Sequence, residues 1–428
     1  MTGARTMTAK VLAAHGIDDV TPGAYGLARV DRVMINDVSG GVAMREFERM
    51  GAGRVFDPSR IACIADHFWP AKDVRSAEHV ARLRAFAREH AIGDYFETGS
   101  TRAGGIEHTV LAEEGLVLPG ALLVGGDSHT CTAGALGALG LGFGSTDLAA
   151  AMALGEVWLR VPETIAVRFA GTPGRYATGK DLILAAIGRL GVDGATYAAL
   201  EFLGPAVEAL DVDGRLALCN MAVEAGAKSG MVAADATTLS WLEPRVADPG
   251  ALRPFGPDVG AAYDREVVID VDGLPPLVAV PPSPGDVHPI GELPEAVRVD
   301  QVYVGNCANG TLSDLRQLAQ ALGGRRVAPG VRLIVVPATQ AIERQAIEEG
   351  LIATLVDAGA MISPPTCGAC FGGHMGVLAA GETAVATTNR NFRGRMGHRD
   401  SRVFLANAYV AGAAAVAGEL VDPAEVLP

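Results

Sequence analysis

The amino-acid sequence predicts an α/β protein built from parallel sheets and crossover helices. Short β-branched runs repeatedly end in Gly-rich turns and lead into segments rich in Ala and Leu. Hydrophobic residues make up 49% of the 428 residues, charged residues make up 20%, and the chain contains 54 Gly and 24 Pro. This composition is typical of a compact, loop-rich enzyme, and the length allows two or three domains with their own cores.

The strands are predicted from short apolar runs that are bounded by polar turns. These runs are RIACIADH, ALLVGGDSHT, TIAVRFAG, QVYVGNCANG and VRLIVVPAT. Helices are predicted where apolar residues recur at helical spacing. These segments are AEHVARLRAFAREH, TDLAAAMALGEVW and KDLILAAIGRL. The alternation of the two kinds of segment favours parallel sheets with helical crossovers.

Two changes in the pattern predict domain boundaries. Residues 271–289, VDGLPPLVAVPPSPGDVHP, include six prolines and are the best candidate for a crossing between domains. A weaker boundary lies near Val161, where a helical segment gives way to a strand. We therefore expect three α/β domains, at residues 1–160, 161–285 and 286–428.

Charge and composition disfavour some classes of partner. A net charge of -14 argues against nucleic acid as a partner, because binding its backbone needs clustered Lys and Arg. The N-terminus lacks the apolar core of a signal peptide, and no uncharged stretch is long enough to span a membrane. We therefore expect a cytoplasmic protein. An anionic substrate would need local Arg residues in its pocket.

A pair of cysteines near the C-terminus can bind a metal. Cys367 and Cys370 stand two residues apart in SPPTCGACFGGH, and Cys307 follows a predicted strand in GNCANG. Three thiolates on an iron-sulfur cluster would leave one iron without a protein ligand. With His374 they would instead form a closed tetrahedral zinc site. The third interpretation, buried inert thiols, also remains open from spacing alone.

Several imidazoles and carboxylates stand together after predicted strands. Asp66-His67 and Asp127-Ser128-His129 each combine an acid with an imidazole, and His108 lies in GGIEHTVL. Carboxylate-oriented imidazoles are suited to proton transfer, because the acid fixes the tautomer and stabilises the charged form. Glu201, in YAALEFLG, is a candidate to pair with a further imidazole.

Residues suited to binding anions occur in TTNRNFRGRMGHRD, soon after the Cys pair. Asn389, Arg390 and Arg395 lie there among Gly and Asn residues, whereas Arg393 and Arg399 are expected to be solvated. A guanidinium binds a carboxylate through two parallel hydrogen bonds. The segment is therefore a candidate site for a di- or tricarboxylate.

Taken together, four segments resemble the aconitase superfamily. They are GGDSHTCTAGALGALGLGFGSTDLAAAM, GNCANG, SPPTCGACFGGHMGVLAAGE and TTNRNFRGRMGH. Within the superfamily the chain is most similar to the large subunits of 3-isopropylmalate dehydratase and homoaconitase, over nearly its whole length. The resemblance implies three α/β domains around a central cleft, without the mobile fourth domain of single-chain members.

The same resemblance implies a cofactor and roles for site residues. It implies a [4Fe-4S] cluster held by Cys307, Cys367 and Cys370. It implies that His67, supported by Asp66, protonates the leaving hydroxyl, and that His108 pairs with Asp127 and His129 with Glu201. The residues implied to contact substrate carboxylates or the cluster are Asn36, Ser128, Asn389, Arg390 and Arg395.

The implied function is that of a hydro-lyase that isomerises a hydroxy di- or tricarboxylic acid by dehydration and rehydration. The first substrate is 3-isopropylmalate, in leucine biosynthesis, and the alternatives are homocitrate, homoaconitate or another alkylmalate. The resemblance also implies a separate small subunit that carries the mobile domain, so that the chain works as a heterodimer or larger assembly.

One motif departs from the family pattern. Family members read Gly-Ser-Cys-Thr-Asn-Gly-Arg around the first cluster cysteine, whereas this chain has Asn306, Ala308 and Thr311. The change predicts altered hydrogen bonding to the cluster sulfurs.

Two alternative functions are a zinc-dependent hydrolase and an RNA-binding regulator. The Gly-rich GALGALGLGFG does not match a dinucleotide-binding motif, because its glycines do not directly follow a strand.

Overall fold

A computed structural model describes residues 3–100, 102, 104–293 and 295–427 of the chain. Its strands in chain order are β1 Tyr25–Arg29, β2 Arg32–Asn36, β3 Ile61–Ala65, β4 Asp94–Glu97, β5 Leu122–Gly125, β6 Leu139–Gly142, β7 Glu156–Arg160, β8 Thr164–Ala170, β9 Ala199–Leu203, β10 Ser229–Val232, β11 Arg265–Asp270, β12 Leu277–Ala279, β13 Val287–Pro289, β14 Gln301–Gly305, β15 Arg332–Val336, β16 Met361–Ile362, β17 Thr383–Ala386 and β18 Arg402–Leu405.

The helices connect these strands. They are α1 Met7–Ala14, α2 Gly40–Arg49, α3 Val74–Glu89, α4 Glu107–Glu113, α5 Ser145–Leu154, α6 Gly179–Leu190, α7 Pro205–Glu208, α8 Val212–Asn220, α9 Ala236–Leu242, α10 Leu312–Leu322, α11 Gln340–Glu348, α12 Leu351–Ala358, α13 Ala408–Ala417 and α14 Pro423–Val426. Within the described ranges, no helix is long and apolar enough to cross a membrane.

Three sheets organise the chain, in the order of the sequence. The first sheet has the strand order β4-β3-β2-β5-β6, and all its neighbours are parallel. The second sheet, β10-β9-β8-β11, is also parallel. In the third sheet, β13-β12-β18-β17-β14-β15-β16, the strands from β18 to β16 are parallel, whereas β12 is antiparallel to both β13 and β18. A separate antiparallel ribbon joins β1 to β7.

The strands are apolar along their length because both sheet faces are covered. Every residue of β3 is buried, as is every residue of β5 and of β14. Parallel strands that are covered on both faces have continuous apolar sequences, and the sequences of these three strands are apolar runs of this kind. The predicted α/β class and the predicted strands are confirmed.

Two segments differ from the sequence-based expectation. The predicted helix TDLAAAMALGEVW ends at Leu154, because Gly155 adopts a left-handed conformation with φ of 72°. The rest of that segment enters β7, which pairs with β1 about 130 residues earlier. The proline-rich segment 271–289 is not a bare linker, since it contributes β12 and β13 to the third sheet.

Candidate active site

The candidate residues gather at the carboxyl ends of parallel strands. Asn36 ends β2, Asp66 and His67 follow β3, and Asp127 to His129 follow β5. Cys307 follows β14 in the third sheet, and Asn389 and Arg390 follow β17. Such ends are where open α/β sheets present their binding sites. The two sheets meet here, because Asp66 O accepts hydrogen bonds from Cys367 N and Thr366 Oγ1, each at 2.9 Å.

His67 is held in one orientation by its neighbours. Its Nδ1 is 2.6 Å from Oδ1 of Asp66, and both side chains are buried. Asp37 accepts the backbone N–H groups of His67 and Phe68, at 3.0 and 2.7 Å. Burial disfavours the charged imidazole, but the carboxylate of Asp66 outweighs it and raises the pKa of His67 well above its ordinary value. The structure forms the predicted Asp66–His67 pair.

Asp127 joins two further imidazoles. Its Oδ1 lies 3.2 Å from Nε2 of His108 and 3.1 Å from Nδ1 of His129, and it accepts the backbone N–H of His129 at 2.7 Å. Burial would raise the pKa of this carboxyl group, but the hydrogen bonds from both imidazoles hold it well below its ordinary value. The predicted pair of His108 and Asp127 is thus formed, and Asp127 also orients His129.

The predicted pair of His129 and Glu201 is wrong. Nε2 of His129 is instead 2.9 Å from Oε1 of Glu224. Glu201 accepts hydrogen bonds from Thr8 N at 2.9 Å, Thr8 Oγ1 at 3.0 Å and Tyr263 Oη at 3.1 Å. Because Glu201 lies in the middle of β9, its side chain joins the N-terminal helix to the second sheet. It therefore ties structural elements together, away from the imidazoles.

Glu224 was missed by the sequence analysis, together with Asn220. Both lie where α8 passes into the 3₁₀ helix Met221–Ala225. Their four-residue spacing within the apolar run RLALCNMAVEAGA places two polar side chains on one face of a helical segment. That is the signal that would have identified them. Asn220 accepts a hydrogen bond from Nδ2 of Asn389 at 3.2 Å.

The three cysteines predicted as metal ligands converge. Cys307, Cys367 and Cys370 are buried and form no disulfide. Nδ2 of Asn389 donates to Cys307 Sγ at 3.3 Å, and the Cys370 Sγ lies 3.5 Å from the amide oxygen of the same Asn389. A hydrogen bond from Cys367 lowers the pKa of Cys370 well below its ordinary value. Cys367 and Cys370 are thus neighbouring thiols that interact directly.

The sulfurs of Cys307, Cys367 and Cys370 do not all lie within 4.8 Å of one another. Among the described residues, two groups bring three ligand atoms within 4.8 Å of one another, and neither contains a cysteine. Two sulfurs on one zinc ion, each at about 2.3 Å, lie no more than about 4.6 Å apart. His374, the fourth ligand of the zinc alternative, bonds through Nε2 to the carbonyl of Pro70 at 2.5 Å. Cys367 and Cys370 share a hydrogen bond, so the wider separation in this set involves Cys307.

The unusual residue Asn306 contacts this thiol group. Its Nδ2 donates to Cys370 Sγ at 3.5 Å, and its Oδ1 accepts the backbone N–H groups of Ala308 and Asn309. Asn306 has a φ of 119°, in a region that Asn tolerates better than most side chains. The departure from the family motif thus replaces a hydroxyl by an amide donor. Thr311, where the family has Arg, caps the N-terminus of α10.

The anion-binding residues line the same cleft. Nε of Arg390 donates to Oε1 of Glu224 at 2.7 Å, and its Nη2 donates to Oγ of Ser128 at 3.1 Å. Nε of Arg395 is buried and has no partner among the described residues. The charge of Arg395 also acts on the Cys370 thiolate. Arg395 therefore has an unused donor beside the thiols.

The side chain of Asn36 is bonded within the protein, whereas the resemblance implies that it contacts substrate carboxylates or the cluster. Its Oδ1 accepts the backbone N–H groups of Val38 and Ser39, and its Nδ2 donates to Glu107 at 2.9 Å. The amide oxygen thus shapes the turn before α2, while the amide nitrogen holds a buried acid. Ser128 is beside His129, with its Oγ 3.4 Å from Nδ1.

Sequence comparisons with known proteins identify one family. Residues 9–418 match the model of the aconitase family (aconitate hydratase). The chain is 55% identical to the 3-isopropylmalate dehydratase large subunit 2 of Rubrobacter xylanophilus, over 98% of each chain. It is 51% identical to the 3-isopropylmalate dehydratase large subunit of Moorella thermoacetica, over 99% of each chain. The holo-form of aconitase X from Thermococcus kodakaraensis superposes with a TM-score of 0.49 at 12% identity, covering 89% of this chain and 87% of that one.

Proposed function

The chain belongs to the aconitase family and is a hydro-lyase, and on that premise we propose that it is the catalytic large subunit of a 3-isopropylmalate dehydratase. The curated relatives that carry this name match at about half identity or more over nearly their whole length. The proposed reaction removes water from a hydroxy acid and adds it back at the neighbouring carbon. The observation that carries the proposal is the meeting of three buried thiols, paired imidazoles and two arginines in one cleft.

Cys307, Cys367 and Cys370 would hold a [4Fe-4S] cluster. The three buried, unpaired thiols and the membership of the chain in the aconitase family support a cluster. The amide of Asn389 touches two of the three sulfurs, and the amide of Asn306 reaches Cys370. When bound, such a cluster supplies a Lewis acid, because one iron lacks a protein ligand.

His67 is the proposed donor of the proton that leaves with the hydroxyl group. Its raised pKa keeps the imidazole protonated near neutral pH, and Asp66 holds Nδ1 so that Nε2 faces the cleft. Asp127 Oδ2 lies 4.0 Å from that Nε2. Loss of the hydroxyl as water then requires one proton from His67, and a base must remove the proton from the neighbouring carbon. We propose that this base belongs to the small subunit.

Arg390 and Arg395 are the proposed anchors for substrate carboxylates. Arg390 is fixed by Glu224 and Ser128, with 21% of its side chain exposed to the cleft. Arg395 has its free, buried Nε. Two fixed guanidinium groups at different points orient a dicarboxylate, because each binds a carboxylate in a planar, paired geometry. They also offset the charge of a chain whose net charge is -14.

The curated relatives are named as large subunits, which supports a separate small subunit as the partner of this chain. We propose further that the partner carries the mobile domain and that the two chains form a heterodimer or heterotetramer. We also propose a cytoplasmic location, as for other biosynthetic enzymes of this kind.

The test is turnover by the reconstituted enzyme. The chain is purified without oxygen, loaded with iron and sulfide, combined with the small subunit from the same source and supplied with 3-isopropylmalate. The expected result is formation of the unsaturated acid, followed by the isomeric hydroxy acid. Faster turnover of homocitrate would reassign the substrate. No turnover of any hydroxy acid by a cluster-loaded complex would overturn the proposal.

A further inference from the structure

One buried acid in the candidate site has no role in the proposed reaction. Glu107 is the first residue of α4 and is 1% exposed. Its backbone N–H donates to Oδ2 of Asp66 at 2.9 Å, which fixes the start of α4 beside the pair of Asp66 and His67. Its Oε1 accepts a hydrogen bond from Nδ2 of Asn36 at 2.9 Å. The second oxygen, Oε2, is buried and has no hydrogen-bond partner among the described residues.

Glu107 lies beside the side chains between which proton transfer is proposed. One ligand atom each of Glu107, His67 and Asp127 lie within 4.8 Å of one another. Nε2 of His108 is 3.8 Å from Oε1 of Glu107. A substrate oxygen that reaches His67 is therefore within reach of Glu107.

The acids around Glu107 disfavour a negative charge on it. Burial comes first, and the carboxylates of Asp66 and Asp127 add repulsion, so that the pKa of Glu107 is held well above its ordinary value. Cys307, at the end of β14, also faces Glu107 and would carry negative charge as a thiolate. The charge of His67 and the hydrogen bond from Asn36 oppose these effects only in part.

The basic groups nearby are engaged elsewhere. No lysine or arginine in the described ranges forms an ion pair with Glu107. The imidazole of His67 is bonded to Asp66 at 2.6 Å, and that of His108 lies 3.2 Å from Asp127. A buried carboxylate without a dedicated cation is costly, and protonation removes that cost.

We propose that Glu107 is a neutral carboxylic acid that donates a hydrogen bond from Oε2 to an oxygen of the bound hydroxy acid. The proposal rests on the proposed function, because it requires such a substrate in this cleft. No proton is transferred, and the O–H bond of Glu107 stays intact. A buried acid that remains protonated at neutral pH can stabilise negative charge on a substrate oxygen in this way. It adds a donor without adding a charge that would repel a dicarboxylate.

The amide variant Glu107→Gln tests this role directly. Glutamine keeps an acceptor for Asn36 and an N–H donor in place of the O–H, so kcat/KM should stay within about threefold of wild type. Glu107→Met removes the donor and should lower kcat/KM roughly ten- to hundredfold. If Gln were as damaging as Met, Glu107 would be transferring a proton, and the proposal would be overturned.

The pH dependence of kcat/KM gives a second test, because a residue with only a structural role would not change it. Wild-type kcat/KM should fall as the pH rises through the raised pKa of Glu107, because the ionised form has no proton to donate. The part of the decline that comes from Glu107 should be missing in Glu107→Gln, whose amide does not ionise, whereas the part that comes from deprotonation of His67 should remain. The matched control is Glu113→Gln on the same helix. Burial raises the pKa of Glu113 to about 7, but this carboxyl group is bonded to Thr339 outside the site. The control should keep the wild-type profile.

An infrared measurement separates this proposal from the proposed function. In the cluster-loaded chain near neutral pH, the spectrum of wild type minus that of Glu107→Gln should contain the carbonyl band of a protonated carboxylic acid, while bands of other buried acids such as Glu113 cancel. Such a band supports the neutral acid even if 3-isopropylmalate is not turned over, in which case the proposed function alone fails. If the wild-type and Gln spectra are the same in this region, Glu107 is ionised, and the inference is wrong.

Discussion

His129 lies between two carboxylates, and this arrangement defines the site at the scale of residues. Asp127 holds Nδ1 and Glu224 holds Nε2, at 3.1 and 2.9 Å. Glu224 also accepts a hydrogen bond from Arg390 at 2.7 Å, so one acid fixes both an imidazole and a proposed anion binder. A buried group with two such partners is expected to matter for geometry as well as charge.

A pair of glutamate variants distinguishes Glu224 from Glu201. Glu224→Gln keeps the side-chain shape but removes the charge that faces His129 and Arg390, so kcat/KM should fall about 10- to 100-fold. Glu201→Gln is the control, because Glu201 contacts Thr8 and Tyr263 rather than the imidazoles. It should leave kcat/KM close to wild type. If Glu201→Gln lowered kcat/KM more than Glu224→Gln, Glu201 rather than Glu224 would be the partner of His129 in catalysis.

The Asp66–His67 pair makes a prediction about pH. The pKa of His67 is raised in the folded chain, so its protonated form adds stability that is fully present below its unfolded pKa of about 6.5 and is lost as the pH rises through the folded value. Asp66→Asn removes the main source of this increase. The pKa of His67, followed by NMR of its imidazole protons, should therefore decrease in the variant. An unchanged titration would show that Asp66 does not control His67.

The residues show where prediction from the sequence reached its limit. The pair of Asp66 and His67 is adjacent in the chain, so its contact follows from local geometry. The partner of His129 is almost one hundred residues away, and two glutamates were available in the same part of the chain. Packing of the 3₁₀ helix Met221–Ala225 against the one at Ser128–Leu136 makes the choice. That packing is not readable from either segment alone.

At the scale of elements, the site depends on loops that follow strands in two different sheets. The sequence predicted β3, β5 and β14, since their apolar runs are continuous and end in polar turns. The same reasoning failed at β7, because a strand of a two-stranded ribbon is exposed and depends on a distant partner. Trp158, in that strand, is 63% exposed and carries no signal of a buried strand.

Lys180 ties the second sheet to the loop that carries the anion binders. It lies in the first turn of α6, is fully buried, and donates from Nζ to Thr387 O at 2.9 Å and Thr388 O at 2.6 Å. Burial lowers the pKa of Lys180 to about 8. The two carbonyls directly precede Asn389 and Arg390, so Lys180 is a positioning residue for both.

Lys180→Met should therefore affect stability and substrate binding together. The variant leaves two buried carbonyls without a donor, which should cost about 2–4 kcal/mol of stability and raise the KM for substrate. Chemical denaturation and steady-state kinetics measure the two effects. Lys228→Met is the matched control, because Lys228 donates to Gly142 O, away from this loop. A similar loss in both variants would argue against a positioning role.

At the scale of the whole molecule, loops that follow strands of the first and third sheets meet each other and the helical segment that carries Glu224. We propose domains at residues 1–160, 161–285 and 286–428. Strands β2 to β6 and β8 to β11 each form one sheet, in line with the first two domains, but the third sheet also takes in β12 and β13 and so begins at Leu277, before residue 286. Composition and turn chemistry predict such a division from the sequence. The faces on which the domains meet depend on long-range contacts such as Asp66 with Cys367.

The proposed small subunit makes a prediction about assembly. Cluster-loaded large chain alone should show little dehydration of 3-isopropylmalate, because the proposed base for carbon deprotonation is on the partner. Activity should rise with added small subunit and reach a plateau at a fixed ratio of the two chains. Full turnover by the large chain alone would show that this chain supplies the base.

The central claim is that Cys307, Cys367 and Cys370 hold an iron-sulfur cluster. The most direct test is the iron, acid-labile sulfide and zinc content of chain purified without oxygen, compared with Cys307→Ser. The account predicts about three to four irons with matching sulfide per chain, and their loss in the variant. One zinc per chain without sulfide, unaffected by Cys307→Ser, would contradict it.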